Sequence, residues 1–323
     1  MADQIDAGLG LLCDGAIQGE GPTMALVREL HGLVTRGAGA GIQALAARPP
    51  QWSEPVLVAA WQSATEAARM LTAERDLPPL PVKACLPGPY TLARWIDPGD
   101  VGREPLIVSL AEALAQEVRA LIAAGAPVVQ IDEPGLIHIG PDDDAERALA
   151  TAALTRLTDG VSDPEAHLCL AVAGGSAEHA GPDLLFERPF RSYLFDLISG
   201  PDDWRLIARA PRDRGIVCGV ADARTDAPDD EPVMIWAARY AASLNGRGPD
   251  RVGLSPSAGF EALSTAAARS KMGGLARAAS KAGLSAGTLA TRIDPRAVDA
   301  RSAAMGRYEP RAAALPEEHG PGE

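Results

Sequence analysis

Short apolar segments alternate with amphipathic stretches along most of the chain. The clearest apolar segment, 128–136, is rich in β-branched residues, follows Gly-Ala-Pro, and ends in two adjacent carboxylates and a Pro-Gly turn. This pattern is typical of a buried parallel strand. Similar segments predict six further strands, at 9–15, 82–88, 167–172, 192–198, 215–222 and 251–257.

Apolar residues at helical spacing fill the intervals between these segments. We expect helices within 23–35, 61–75, 89–95, 106–124, 146–157, 232–244 and 260–282. In the helix at 106–124, Glu112 and Glu117 are expected on the polar side. The Gly-, Ala- and Pro-rich residues 37–55 predict a loop or a short hairpin.

Strands separated by helices predict a parallel sheet with helical crossovers. The fold class is therefore α/β, and we expect a single (β/α)8 TIM-type barrel over 1–293 with its first strand missing or irregular. Three alternatives follow: the extreme N-terminus supplies a poor strand, the barrel is open at that seam, or the native start lies upstream of Met1. The Arg-, Pro- and Glu-rich tail at 294–323 is expected to be loose.

Composition narrows the class of partner. The net charge of −13 argues against nucleic acid and anionic membranes, because phosphate binding needs clustered Lys and Arg. No apolar run approaches the roughly 18 residues of a membrane span, and the N-terminus lacks the order of a signal peptide. The four cysteines are widely spaced, as expected for reduced thiols in a cytoplasmic protein. A small-molecule substrate is the expected partner, and the oligomeric state is not indicated.

Asp132 and Glu133 stand at the carboxyl end of the clearest strand. Side chains alternate along a strand, so Asp132 shares a face with Gln130 while Glu133 faces the opposite way. Barrels and open α/β sheets place their chemistry at this end of the strands. We therefore predict that both acids are catalytic residues. The alternative is a pair of acids that caps the next loop.

Arg224 follows the predicted strand at 215–222. It is predicted to be a catalytic residue that binds an anionic substrate. The alternative is a surface ion pair with Asp222 or Asp226, which would contribute little stability.

Three other residues complete a predicted substrate-binding set with Asp132. Trp95 is either a platform for a planar ligand or a packing residue between helix and barrel. His138 is a candidate acid or base. Asp14 ends the predicted strand at 9–15.

His167 and Cys169 lie two residues apart in a predicted strand and therefore face the same way. Zinc takes imidazole nitrogen and thiolate sulfur, and a catalytic zinc keeps three protein ligands and an open position. A metal-bound thiol loses its proton, which creates a nucleophile at neutral pH. The pair therefore supplies two of the ligands that a zinc site needs.

Three motifs carry a family resemblance: Leu86-Pro-Gly-Pro-Tyr-Thr-Leu-Ala-Arg-Trp95, Gln130-Ile-Asp-Glu-Pro134 and His167-Leu-Cys169. Their order and spacing resemble the C-terminal barrel of cobalamin-independent methionine synthase, over residues 9–280. The resemblance implies the methyl transfer of methionine biosynthesis, in which a zinc-bound homocysteine thiolate attacks the methyl group of 5-methyltetrahydrofolate.

The resemblance also implies roles for individual residues. Asp132 matches the aspartate that holds the amino group of homocysteine, and Trp95 matches the tryptophan that packs against the folate pterin. His167 and Cys169 match two zinc ligands, and Asp196 matches the acidic third ligand.

Other positions depart from the family pattern. Ala258 stands where the final cysteine ligand belongs, so the implied zinc site is degraded. Cys218 is a candidate substitute, although it lies four residues before Asp222 and hence about 13 Å deeper than the strand end. Asp14-Gly-Ala16 replaces the family's His-Gly-Glu, and Arg224 replaces its catalytic histidine.

Three functions are compatible with these residues. The first is a methyl or alkyl transferase that acts on a small thiol-type or folate-type substrate. The second is a metal-free lyase or decarboxylase of the same superfamily, which uses Asp132 and Arg224 around an acidic substrate. The third is a non-catalytic paralogue that kept the barrel and lost the chemistry. We expect Trp95, Asp132, His167 and Asp196 to line one cavity at a shared rim.

Overall fold

A parallel sheet of six strands forms the centre of the fold. The structure, a computed structural model, describes residues 1–14, 21–37, 43–161, 163 and 166–283. Its strands in chain order are β1 (His31–Arg36), β2 (Gln43–Gln51), β3 (Ala84–Pro87), β4 (Ile96–Asp97), β5 (Val129–Asp132), β6 (Leu168–Val172), β7 (Ser192–Asp196), β8 (Gly215–Ala221) and β9 (Val252–Pro256). The central sheet has the order β3-β5-β6-β7-β8-β9, and its neighbours are parallel.

Helices connect the strands, as parallel neighbours require. They are α1 (Ala2–Asp6), α2 (Gly21–Glu29), α3 (Val58–Ala73), α4 (Pro89–Trp95), α5 (Arg103–Ala123), α6 (Asp144–Thr158), α7 (Pro182–Phe186), α8 (Trp204–Arg209), α9 (Glu231–Ser243) and α10 (Thr265–Ala282). The short helices α7 and α8 were not predicted from the sequence. No described helix combines the length and apolar character that crossing a bilayer requires.

The predicted strand at 9–15 is present, within its described part, only as a single parallel bridge between Leu12 and Val82. The extreme N-terminus forms α1, so the alternative that it supplies a strand is wrong. β3, extended by this bridge, and β9 are the two edges of the sheet in the described residues. These residues therefore form an open α/β sheet, which agrees with the alternative of a barrel that is open at that seam, and a complete eight-stranded barrel is not present in them. The tail at 294–323 lies outside the described residues.

The strand register separates two faces of the sheet. One face packs against the helices in the main hydrophobic core; its row across β5 to β8 is Ile131, Leu170, Tyr193 and Ile216. Burial of each such side chain contributes about 1.5–3 kcal/mol. The opposite face, which we call the inner face, has a small apolar cluster of Cys169, Ala171 and Leu194. The inner face also carries the polar side chains of the candidate site.

The predicted helix at 23–35 is wrong in its second half. α2 ends at Glu29, and His31–Arg36 forms β1, which pairs antiparallel with β2. Gly32 accounts for the break: its φ is 96°, and an added Cβ would lie 2.8 Å from two carbonyl oxygens of β2. Only glycine tolerates both constraints. β1, β2 and β4 form a separate three-stranded sheet. Of the hairpin alternative for 37–55, only the second strand, β2, lies within that range, because the first strand, β1, begins at His31.

Glu117 is buried within α5, and its predicted place on the polar side is wrong. Its carboxylate accepts hydrogen bonds from Nε1 of Trp52 (2.8 Å) and from the backbone N–H groups of Val56 (2.9 Å) and Leu57 (2.7 Å). A buried carboxylate needs such donors. The helical pattern did not reveal this position because the covering segment lies about 60 residues earlier in the chain.

Candidate functional site

Carboxylates collect where the parallel strands end. Asp132 is the last residue of β5, Asp196 is the last residue of β7, and Asp222 follows β8. The carboxyl ends of parallel strands lie along one edge of a sheet, which is where α/β proteins bind ligands. We call this edge, defined by Asp132, Asp196 and Asp222, the mouth.

Asp132 lies half-buried at the mouth, on the inner face. Its Oδ1 accepts a hydrogen bond from Nε2 of Gln130 (2.6 Å), and Oε1 of the same amide accepts one from Nζ of Lys83 (2.6 Å). Burial raises the pKa of Asp132 above its ordinary value, against the Gln130 hydrogen bond and the Lys83 charge, which lower it. Among the described residues, no donor reaches Oδ2.

Glu133 faces away from Asp132, as strand alternation predicts. It is wholly buried and accepts hydrogen bonds from the backbone N–H groups of Tyr90 (3.0 Å) and Thr91 (2.7 Å) and from the Thr91 hydroxyl (2.5 Å). These groups belong to the first turn of α4, so the carboxylate caps that helix. Burial raises the pKa of Glu133 to about 7. The contacts are those of a capping acid, and the catalytic role stays a prediction.

Asp196 joins the two loops that follow β6 and β7. Its Oδ1 accepts hydrogen bonds from the backbone N–H groups of Ile198 (2.9 Å) and Ser199 (2.9 Å), and its Oδ2 accepts one from Gly174 (3.1 Å). The side chain is buried. Its oxygens are therefore engaged in holding the mouth together.

Asp203 supports the same loops and was not identified from the sequence. It is buried and accepts hydrogen bonds from the Ser176 hydroxyl (2.6 Å) and the Ala177 N–H group (2.9 Å). Burial, with smaller contributions from the charges of Asp196 and Glu178, raises the pKa of Asp203 to about 7. Its place directly before α8 was the available signal, because acids are common at helix starts.

Arg224 forms the ion pair with Asp222 that was one of its two predicted alternatives. Nε lies 3.0 Å from Oδ1, Nη2 lies 3.3 Å from Oδ2, and the Arg224 side chain is 59% exposed. Asp229 fixes the loop that follows β8: its Oδ1 accepts a hydrogen bond from the Asp222 N–H group (2.9 Å). Its Oδ2 accepts one from Nζ of Lys271 (3.0 Å). An exposed pair of this kind contributes about 1 kcal/mol or less. A role for Arg224 in substrate binding stays a prediction.

Two members of the predicted substrate-binding set lie on the surface. Trp95 ends α4 and is 69% exposed, so the alternative that it packs between helix and sheet is wrong. An exposed indole is available to stack on a planar group. His138 ends the 3-10 turn Pro134–His138 and is also exposed.

Asp14 lies two residues after Leu12, which forms a parallel β-bridge with Val82 just before β3. With Lys83 and Cys85 it lines a cavity of about 70 Å³. Lys83 is a charged residue within an apolar strand segment, which is a signal that was available in the sequence and was not used.

The predicted zinc ligands do not converge. β6 begins at Leu168, so His167 precedes the strand and Cys169 lies near its amino end. Cys169 pairs with Ser192, whose hydroxyl oxygen lies 2.8 Å from Nε2 of His167. Asp196 is four residues farther along β7, which corresponds to about 13 Å. The expectation of one shared rim is therefore wrong for His167.

The zinc ion that the resemblance implies does not fit these side chains. β6 continues to Val172, as predicted, so the His-x-Cys pair lies at the amino end of the strand and away from the mouth. Burial raises the pKa of Cys169, which disfavours a thiolate. Cys218 is in the main core on the helix-covered face, and burial raises its pKa to about 12. No cluster of three or more His, Cys, Asp or Glu residues suited to a metal occurs in the described ranges.

Comparisons with known proteins agree on one family. The profile of the cobalamin-independent synthase catalytic domain matches residues 1–173, more than half of the 323-residue chain. A 5-methyltetrahydropteroyltriglutamate–homocysteine methyltransferase of Nitrobacter winogradskyi is 31% identical over 181 residues, which are 53% of this chain and 22% of that relative. The corresponding protein of Nitratidesulfovibrio vulgaris is 39% identical over 124 residues, 36% of this chain and 14% of that relative. The chain thus spans less than a quarter of these relatives.

A solved structure extends the likeness over most of the fold. The B12-independent methionine synthase from a Shewanella species, in complex with selenomethionine, has a TM-score of 0.69 at 20% identity. The match covers 86% of this chain and 84% of that chain. At this identity the likeness concerns the fold, an α/β arrangement with a parallel sheet.

Proposed function

The chain belongs to the family of cobalamin-independent synthase catalytic domains, and we propose that it is a methyl or alkyl transferase that binds a small amino-acid substrate at the mouth. The substrate is of thiol type, with an ammonium group that Asp132 holds and a sulfur that gives or receives the transferred group. The donor or acceptor on the other side is a planar molecule of folate type.

The position and hydrogen bonding of Asp132 are the observation that carries this proposal. The residue ends β5 at the mouth, its Oδ1 is fixed by Gln130, and its Oδ2 has no donor among the described residues. A carboxylate oxygen in this position suits an ammonium group, because charge-assisted hydrogen bonds are short and strong. The Shewanella relative was solved with selenomethionine, an amino acid with such a group.

The exposed ring of Trp95 is the observation that favours a folate-type molecule as the second substrate. Its ring is exposed at the end of α4, and the Arg94 side chain precedes it on the same exposed segment. Aromatic rings bind planar ligands by offset stacking. A folate-type molecule combines a planar ring with carboxylates, which the Arg94 guanidinium complements.

Among the described residues, the side chains of the mouth position the substrates but do not include an evident base for the thiol. In a transfer to sulfur, the sulfur bonds to the methyl carbon, the donor atom keeps the electron pair of the broken bond, and the thiol proton leaves. Glu133 is engaged in capping α4, and Asp196 is engaged with three backbone N–H groups. These contacts favour positioning of the two substrates as the main contribution of the chain.

Calorimetric titration with L-methionine, L-selenomethionine and L-homocysteine tests the proposal. We expect binding to the wild type and a loss of about 10-fold to 100-fold in Asp132→Asn, because a hydrogen bond to a charged group contributes about 1.5–3 kcal/mol. Asp144→Asn is the matched control, since that side chain is 94% exposed on α6. Equal affinity of Asp132→Asn and the wild type, or no binding of any of the three amino acids, would refute the proposal.

The separation of Cys169 from Asp196 favours a second candidate, a metal-free lyase or decarboxylase that acts on an acidic substrate. In this case Asp132 and Arg224 would contact the substrate, and Arg224→Ala would abolish turnover without any metal requirement. If folates, thiols and porphyrins all leave the melting temperature unchanged, both candidates give way to a non-catalytic paralogue.

A further inference from the structure

Lys83 places a positive charge on the inner face of the sheet. It directly precedes β3, and its Nζ donates to Oε1 of Gln130 at 2.6 Å. The side chain is half-buried, and the charge of Asp132 is among the groups that raise the pKa of Lys83 against its burial. Desolvation of an ammonium group is costly, so its position calls for an explanation.

The amide of Gln130 links this charge to Asp132. An amide has one acceptor oxygen and one donor nitrogen. Because Oε1 accepts from Lys83, Nε2 must face the other way, where it donates to Oδ1 of Asp132 at 2.6 Å. The two hydrogen bonds are mutually consistent only in this orientation, so the ammonium group fixes which end of the amide meets the carboxylate.

We propose that Lys83 is a positioning residue: through the Gln130 amide it fixes the Asp132 carboxylate in its charged form, with Oδ2 directed to the mouth. Lys83 does not touch the substrate; it sets the orientation and charge of the group that does. The inference rests on the proposed function only in naming an ammonium group as the ligand of Asp132.

The surroundings of Asp132 support this role. On the inner face, Cys85 of β3 and Cys169 of β6 lie on either side of Gln130, one row below Asp132. Glu133 follows Asp132 in the chain and faces the helix-covered side of the sheet. Burial raises the pKa of both thiols, so they are neutral near pH 7, and a charged Glu133 would disfavour ionisation of Asp132. Lys83 is the group whose charge lowers the pKa of Asp132, beside the hydrogen bond from Gln130.

The test compares Lys83→Met, which removes the charge at similar volume, with Lys83→Arg, which keeps it. Carbon-13 NMR of aspartate-labelled protein, with Asp132→Asn for assignment, follows the titration of the Asp132 carboxyl without any ligand. We expect Lys83→Met to move this titration up by about one pH unit or more, a tenfold change in ionisation. Lys83→Arg should keep it near the wild-type value.

Binding of L-methionine supplies the second readout. In Lys83→Met the affinity should be weaker than that of the wild type at acidic pH and should recover as the pH rises above the shifted titration of Asp132, whereas the control Lys281→Met, altered in the last turn of α10, should follow the wild type at every pH. If Lys83→Met does not fold, Gln130→Met cuts the same link and should give the same upward titration shift. An unchanged Asp132 titration in either folded variant would overturn the inference. A shifted titration without binding of any amino acid would retain it and refute the proposed function instead.

Discussion

Cys169 and Asp196 project from neighbouring strands, but the register holds them apart. Cys169 pairs with Ser192, and Asp196 lies four residues farther along β7. In the same register, Ala171 of β6 lies between Asp132 of β5 and Leu194 of β7. Continued by one residue past the end of β6, this register brings Ala173 level with Asp196. Ala171 on β6 and Ala173, which directly follows the strand, are therefore the residues at the levels of Asp132 and Asp196.

This relationship predicts how the chain behaves towards zinc. Metal analysis of purified wild type should find no stoichiometric zinc that depends on Cys169, so Cys169→Ala and the wild type should have equal zinc content. The double variant Ala171→His/Ala173→Cys places a His-x-Cys pair level with Asp132 and Asp196 and should gain zinc. One bound zinc per wild-type chain, lost in Cys169→Ala, would contradict the register argument, and so would a folded double variant without zinc.

Glu133 and Gly88 should behave as one structural unit. Glu133→Ala leaves three N-terminal donors of α4 without their acceptor and should lower the free energy of unfolding by about 2–3 kcal/mol. Gly88→Ala should have a similar effect, since its Cβ would overlap the Glu133 carboxylate.

Urea denaturation of both single variants and the double variant measures this coupling. The double variant should lose about 1 kcal/mol less than the sum of the single losses, because the overlap disappears once the carboxylate is removed. Glu112→Ala, a 56%-exposed glutamate on α5, is the control and should change stability by about 0.5 kcal/mol or less. Strict additivity would contradict the assigned role.

Asp203 should make stability depend on pH in a defined direction. Its pKa is about 7 in the folded protein, above the ordinary value of 3.8, so the folded state binds the proton more tightly. The stability that this group contributes is full below pH 3.8 and is lost as the pH rises through 7. Between pH 4 and pH 8 the wild type should therefore lose stability relative to Asp203→Asn, by on the order of 3 kcal/mol.

Chemical denaturation at several pH values, with Asp202→Asn as the neighbouring exposed control, measures this difference. Asp202→Asn should show the same pH dependence as the wild type. A constant difference between the wild type and Asp203→Asn at all pH values would contradict the assigned pKa.

Trp95 should matter for binding and not for stability. Since its side chain is 69% exposed, Trp95→Ala should change the free energy of unfolding by about 0.5 kcal/mol or less. Leu92→Ala in the same helix removes a side chain that is 1% exposed and should cost about 2–5 kcal/mol. Titration with a folate-type ligand should show about 10-fold weaker binding to Trp95→Ala. Equal affinity would remove Trp95 from the proposed site.

Much of the fold follows from local pattern. Six of the seven predicted strands are present, because each is a short apolar run bounded by Gly, Pro or polar residues. The helices α3, α4, α5 and α6 also lie where apolar spacing places them. The opposite orientation of Asp132 and Glu133 was likewise a consequence of strand alternation alone.

Contacts between distant segments decided the rest. Gly32 ends a helical pattern because β2 lies against its backbone, and Glu117 is buried because residues 52–57 fold over it. Neither contact can be derived from spacing along one element, since both depend on which segment packs there.

The sequence by itself determined the parallel α/β order and the acids at the end of β5, since both depend on a two-residue or 3.6-residue period. Only the tertiary structure decided which side chains of β6 share a level with Asp132 and that Lys83 reaches Gln130. Strand pairing sets these relationships, because hydrogen bonds to the neighbouring strand fix how far each strand is shifted along the next.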